Sequence, residues 1–215
     1  MDILNAFMEL LFPPRCPSCH SYVQHEGDWC TPCLQKETNV HLVALPPDSI
    51  FDKVWALANY HGTMRSLIIN LKYNGKKSAL HSIHKYIDTV SLSLSLPADI
   101  DNIICVPLHK KRLRQRGFNQ TELIFKKWLN TQNRHFEEYL KRTHFTERQH
   151  KLNRNERFRN IQGAFSLKEN FTAQRKSFLL LDDIYTTGAT LESCAAVLRN
   201  NGATTVYGLV LASDA

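Results

Sequence analysis

The chain reads as an α/β fold, a mainly parallel sheet flanked by helices, preceded by a small four-cysteine module. Three observations predict it. From Ile50 onward, strand-like apolar runs alternate with helical patterns, as in a sheet built through crossovers. Two of the runs, DNIICVPL (101–108) and SFLLLDD (177–183), are continuously apolar, as strands covered on both faces are. Ahead of them, the cysteines of the first 45 residues fall into two C-x-x-C pairs.

Taken in order, MDILNAFMELLF (1–12) is apolar at helical spacing. Asp2 stands where a signal peptide needs positive charge, and no small-residue cleavage site follows. A short amphipathic helix of a cytoplasmic protein is expected. Residues 1–45 form the cysteine module and end in LPPD, where proline favours extended linker geometry. The main domain is expected over 50–215. It opens with the strand DKVWALANY and then MRSLIINLKY, whose Met64, Leu67, Ile68 and Leu71 share a helical face. Helical character resumes through SALHSIHKYIDTVSLSL, and DNIICVPL is the next strand. A basic, turn-like stretch leads into the amphipathic helix FNQTELIFKKWL. Residues 141–165, polar and basic without periodicity, are expected as a long loop, and long loops in compact domains usually carry function. SFLLLDD, the helix TLESCAAVLRNN ending near Gly202, and the strand TTVYGLVLAS complete the pattern. No apolar run reaches the roughly 18 residues of a membrane-spanning helix, so no membrane insertion is expected.

Charge is unevenly placed. Between Cys105 and Asn160 there are fifteen Lys and Arg against five Glu. That is +10 in a chain of net +7, so the remainder carries −3. Such a local field attracts phosphate-bearing ligands or nucleic acid, although a solvated, solubilising surface would look the same.

Cys16-Pro-Ser-Cys19 and Cys30-Thr-Pro-Cys33 stand ten residues apart and can place four thiolates around a tetrahedral Zn²⁺. Four protein ligands leave no open position, so the expected site is structural. Redox activity competes as a reading of a single C-x-x-C, and two facing pairs disfavour it. The module could hold the N-terminus to the main domain or recognise a partner. Cys105 and Cys194 lie in apolar runs and read as small buried hydrophobes.

The most informative residues are FLLLDDIYTTGAT (178–190): an apolar strand, two carboxylates, then a Thr/Gly turn opening a helix. The carboxyl ends of strands in open α/β sheets are where ligands bind. Backbone N–H groups at the helix start favour an anion, and Gly188 lets the backbone approach it closely. Thr186, Thr187 and Thr190 add hydroxyl donors beside Ala189. Asp182 and Asp183 suit a vicinal ribose diol. A 5-phosphoribosyl group presents both features.

This segment resembles the signature of type I phosphoribosyltransferases, which bind 5-phosphoribosyl-1-pyrophosphate (PRPP). NLKYNG (70–75), VPLHKKRLRQRGFNQ (106–120), NIQGAF (160–165) and the cysteine-rich N-terminus narrow the resemblance to the ComF family, from Cys16 to Leu211. The resemblance implies a type I phosphoribosyltransferase-like fold. It implies that the loop after DNIICVPL contacts pyrophosphate, where His109, Lys110, Lys111, Arg112, Arg114 and Arg116 crowd together. Arg112 and Arg116 are the preferred ligand or loop-fixing residues, since arginine's planar fork suits phosphate. It also implies a flexible loop closing over substrate, with Arg148, Gln149, Lys151, Leu152 and Arg154 as candidates, and Lys72 as a further matched position. Mg²⁺ is expected with PRPP, held mainly by substrate oxygens and water.

Three functions follow from this reading. The first is a ComF-like role in DNA uptake by natural transformation, with PRPP and single-stranded DNA as partners, acting on or alongside the incoming strand, with or without phosphoribosyl transfer. Competence proteins would be further partners. Phe118, Trp128, Phe145 and Phe158 are compatible with base stacking, although each is individually more typical of a core. The second is a phosphoribosyltransferase of nucleotide metabolism, for which no acceptor-reading motif is present. The third is a non-catalytic PRPP sensor.

Overall fold

The computed structural model describes residues 12–74, 77–144, 163–169 and 171–214. Seven strands are present among them: β1 (His41–Leu42), β2 (Lys53–Asn59), β3 (Asn102–Cys105), β4 (Leu140–Arg142), β5 (Phe165–Leu167), β6 (Ser177–Tyr185) and β7 (Thr205–Ser213). Five form one sheet in the order β1-β2-β7-β6-β3. The β2–β7, β7–β6 and β6–β3 pairings are parallel, and β1 joins its edge antiparallel. The helices are α1 (Thr31–Glu37), α2 (Gly62–Asn74), α3 (Lys77–Val90), α4 (Lys110–Arg116), α5 (Gln120–Thr131) and α6 (Ala189–Asn200). The expected α/β architecture with a mainly parallel sheet is the observed one.

Both faces of the sheet are covered, which explains the unbroken apolar runs. Leu179 and Leu181 of β6, with Leu209 and Leu211 of β7, pack with Met64, Ile68, Ile83, Ile124 and Phe125 from α2, α3 and α5. Phe178 and Leu180, with Val206 and Val210, pack with Leu191, Cys194 and Leu198 of α6 and with Leu140 and Phe165. Alternate residues of one strand thus serve opposite faces. Cys105 and Cys194 are both buried, as expected.

Two local expectations are corrected. The basic stretch after β3 is helix α4, not a loop or turn. Its KKRLRQR contains no Gly or Pro, and Lys, Leu, Arg and Gln all favour helix. His109 Nδ1 accepts the Lys111 N–H at 3.1 Å at its start, and left-handed Gly117 (φ +81°) ends it. The expected loop 141–165 is strand at its described margins, where β4 and β5 pair antiparallel, Arg142 opposite Phe165. The N-terminal 45 residues also lend β1 to the main sheet. The expected N-terminal helix, Phe145, Arg148, Gln149, Lys151, Leu152, Arg154 and Phe158 lie outside the described residues.

The cysteine module packs onto α3. The Trp29 indole N–H donates to Ser82 O at 2.9 Å, and its ring lies 5.8 Å from that of Tyr86. Tyr86 donates to Leu57 O at 2.6 Å and is 3.0 Å from Glu37 O, linking α3, β2 and the end of α1. Gly27 (φ +88°) sits where a Cβ would come within 2.8 Å of the His81 backbone, so no side chain fits this approach. Lys85 pairs with Asp28 at 3.0 Å at the rim. Holding the module to the main body, one of the two roles the sequence left open, is therefore observed.

Candidate functional site

The turn between β6 and α6 makes a cleft lined by Asp182, Ile184, Thr186, Thr187, Gly188, Ala189, Thr190 and Leu191. Strand β6 carries its apolar run up to the carboxylates, and α6 begins immediately after Gly188, its N-cap. Gly188 is left-handed at φ +75°, and a Cβ there would meet Tyr185 Oη at 2.5 Å. Only glycine fits both the backbone and the packed ring. No side chain caps α6 by hydrogen bonding, and the Ala189 N–H reaches Thr187 Oγ1 only at 3.5 Å. The helix therefore presents donors and the positive end of its dipole to the cleft, where an anion fits. Glu192 in the first turn points away from that role. It accepts from Ser49 Oγ at 2.6 Å and from the Ile50 N–H at 3.3 Å, anchoring the segment before β2 to α6.

The two carboxylates are buried and differently partnered. Asp182 Oδ1 accepts the Asp183 N–H at 2.8 Å and Thr121 Oγ1 at 3.4 Å. Thr121 is held there by the N-cap of α5: Asn119 Oδ1 accepts the Thr121 N–H at 3.1 Å, while Asn119 Nδ2 donates to Val106 O. Asp183 instead meets Lys72, whose Nζ lies 2.8 Å from Oδ2. That contact is an ion pair outside hydrogen-bond angles, so Asp183 Oδ2 is buried beside a cation without an aligned donor. Burial, and then the Asp183 charge, push Asp182 up to about 7 against the pull of Lys72 and Thr121. Burial opposes the Lys72 charge, but Asp183 and Asp182 outweigh it and raise its pKa. Tyr60, its pKa raised by burial, lies in the field of Lys72 and Asp183. Asp182 Oδ1 is thus engaged by protein donors, whereas Asp183 Oδ2 is held by the charge of Lys72. Among the described residues, the one His/Cys/Asp/Glu cluster arranged to hold a metal is the cysteine set.

The basic helix α4 divides by exposure. Lys110, Lys111 and Arg114 face solvent, whereas Arg112 and Arg116, one turn apart, are half-buried. Arg116 Nη1 donates to Gln120 Oε1, and its guanidinium lies 6.0 Å from the Tyr73 ring centroid. Burial and then the cations Arg142 and Arg112 hold His109 below its usual pKa, in keeping with Nδ1 accepting a hydrogen bond.

Two residues escaped the sequence reading. Arg142, half-buried at the end of β4, lies 5.2 Å from the Phe165 ring centroid and in the field of Arg112, Cys194 and Asp182. Its burial and Arg112 lower its pKa. The only sequence signal was alternation over three residues, too short to read as a strand. Tyr73 is the second, 47% exposed next to Lys72. Of the proposed stacking aromatics, Trp128 is buried and Phe118 packs partly buried against the same core cluster, so both serve the core.

In the N-terminal module, Cys16, Cys19, Cys30 and Cys33 place their sulfurs within 4.8 Å of one another, with Cys19 and Cys30 3.6 Å apart. A disulfide needs about 2.05 Å, whereas sulfurs around tetrahedral zinc, each at about 2.3 Å from the ion, stand about 3.8 Å apart. The cluster therefore fits a structural Zn²⁺. The Ser21 hydroxyl lowers Cys19 to about 6. For Cys33 the Ser18 hydroxyl lowers the pKa, but Cys30, burial and the other thiols outweigh it and hold it up at about 12.

Comparison with known proteins agrees with this geometry. Residues 7–41 match the double zinc ribbon domain family, although four cysteines in that span supply one four-ligand site. DNA utilization protein YhgH of Shigella flexneri is 32% identical over 200 residues, covering 89% of this chain and 80% of that protein. The chain belongs to the ComF family. Competence protein F of Haemophilus influenzae is 29% identical over 201 residues, and competence protein ComFC of Bacillus subtilis 27% over 212. These matches cover 88% and 94% of this ComF-family chain, and 80% and 85% of the relatives. No helix among the described residues is long and apolar enough to cross a membrane.

Proposed function

We propose that the chain acts in DNA utilization by binding PRPP in the Asp182–Thr190 cleft, with single-stranded DNA as its macromolecular partner. The observation that carries this reading is the uncapped start of α6 over left-handed Gly188, beside two buried carboxylates. The helix start suits the 5-phosphate, and Asp182 and Asp183 suit the ribose hydroxyls. Names of relatives, DNA utilization protein and competence protein, support the process.

Pyrophosphate then falls to the basic side of the cleft, with Arg112 and Arg116 as its half-buried ligands and Lys110 and Lys111 as an outer field. Arg148, Gln149, Lys151 and Arg154 are proposed to close over the bound substrate and exclude water. Mg²⁺ would be carried mainly by substrate oxygens and water, because among the described residues the two carboxylates form no dedicated cage. In phosphoribosyl transfer, the C1–oxygen bond to pyrophosphate breaks, a bond from C1 to the acceptor forms, and the acceptor loses a proton. The ring oxygen shares the positive charge that develops at C1.

Calorimetric titration of the zinc-loaded chain with PRPP and Mg²⁺ tests the reading. Saturable binding that is lost in Asp182→Ala/Asp183→Ala is the expected result. A folded wild-type chain that takes up no PRPP would overturn it.

A further inference from the structure

The site just described does not use Tyr73. It is a large aromatic residue left 47% exposed at the end of α2, directly after the lysine that pairs with Asp183. Arg116 approaches its ring, and Leu113, 42% exposed, precedes Arg116 by one turn of α4. On the same short helix Lys110, Lys111 and Arg114 are exposed, and no acidic residue interrupts KKRLRQR.

We infer that Tyr73, with Arg116 beside it, is a base-stacking platform for single-stranded DNA whose phosphates run along the exposed cations of α4. The inference extends the proposed DNA partner by naming the surface that holds it. The chemistry has three parts. An exposed ring offers a π-face that any unpaired base can stack on, and a guanidinium nearby adds a cation–π contribution. A row of lysines and arginines tracks a polyanionic backbone without reading sequence. Duplex DNA keeps its bases stacked on one another and gains only the second contribution, so the surface selects single strands. Trp128 and Phe118 cannot substitute for this platform, being committed to the core.

The test is fluorescence anisotropy with a labelled 15-residue oligo-dT and the full zinc-loaded chain, without PRPP. Tyr73→Ala should weaken binding by about 5- to 150-fold, the range for losing one stacked base, while Tyr73→Trp retains it. Tyr73→Leu should bind like the alanine variant, because bulk without a ring does not stack. Lys110→Glu/Lys111→Glu should lower the slope of log affinity against log salt by about 0.7 for each phosphate no longer neutralised, and Lys126→Glu, exposed on α5, should not. Folding of each variant is checked by its thermal transition. Alanine and wild-type affinities within twofold, or duplex bound as tightly as single strand, would overturn the platform. A tighter grip on oligo-U than on oligo-dT would overturn the assignment to DNA. Absence of any strand binding by wild type would sink both the platform and the DNA partner, and leave the PRPP titration to stand or fall alone.

Discussion

Lys72 Nζ lies 2.8 Å from Asp183 Oδ2, joining the last turn of α2 to the carboxyl end of β6. Both groups are largely buried, with side-chain exposures of 17% and 6%. Removing one partner of such a pair strands the other charge, which costs more than the pair contributes. Lys72→Met should therefore lose about 3 kcal/mol in urea unfolding, the lower end for buried pairs given the residual exposure of the lysine. Lys72→Met/Asp183→Asn should be more stable than the sum of the single losses implies. Strict additivity in that cycle would show that the two side chains are not coupled.

Asp182 gives the unliganded chain a definite pH dependence. Its pKa is raised to about 7, above the ordinary carboxylate value it takes in the unfolded chain, because burial and Asp183 disfavour its charge. A group raised in this way contributes stability that is fully present below about pH 4, the unfolded pKa. The contribution is lost as pH rises through about 7. Asp182→Asn keeps the shape and removes the proton, so it should flatten the decline between those limits. Parallel denaturation curves for wild type and variant across pH 4 to roughly 8 would refute the assignment.

Gly188 makes a sharper case. A side chain there must adopt left-handed φ and also displace the Tyr185 ring, with 2.5 Å to Tyr185 Oη. Gly188→Ala should cost about 1–3 kcal/mol of stability through backbone strain alone. The start of α6 would shift with it, so PRPP affinity should fall by roughly tenfold or more, the worth of one hydrogen bond to a charged group. Calorimetry at a temperature where the variant remains folded separates the two effects. Wild-type affinity in a destabilised variant would show that the turn does not hold the anion.

Much of this was legible because it is local. SFLLLDD announced a strand buried on both faces, and Leu179 and Phe178 do serve opposite cores. The Asp182, Thr186 and Gly188 neighbourhood needed only one strand, one turn and one helix start, all contiguous in sequence. The C-x-x-C pairs needed only spacing. What was missed depends on tertiary contact. Lys72 and Asp183 could each be named, but not as a pair, since their meeting depends on how α2 lies across the sheet. Charge density in KKRLRQR concealed a helix whose residues all favour helix. Arg142 and β4 depend on a partner strand more than twenty residues away, and so few residues show no recognisable period.

The cysteine module supplies the last prediction, because its packing reaches the main core. Trp29 is 9% exposed, donates to Ser82 O, and lies against Tyr86, whose hydroxyl contacts β2 through Leu57 O. The segment between Phe12 and Glu37 has only one short helix and no apolar core independent of that tryptophan, so four thiolates around one cation are what fix its path. The chain should contain one zinc per molecule by atomic emission, as the four cysteines allow. Cys30→Ser, or chelation, should release the metal, free Trp29 from its contact and red-shift tryptophan emission. The shift should be absent in Trp29→Phe, which retains Trp55 and Trp128 as internal references. Loss of the module also uncovers α3, so the thermal transition should fall and the unfolding free energy should drop by an amount comparable with Trp29→Ala, about 3–5 kcal/mol for a buried tryptophan. Unchanged emission and melting after zinc has demonstrably left would mean that Trp29 alone, without the metal, holds the module in place.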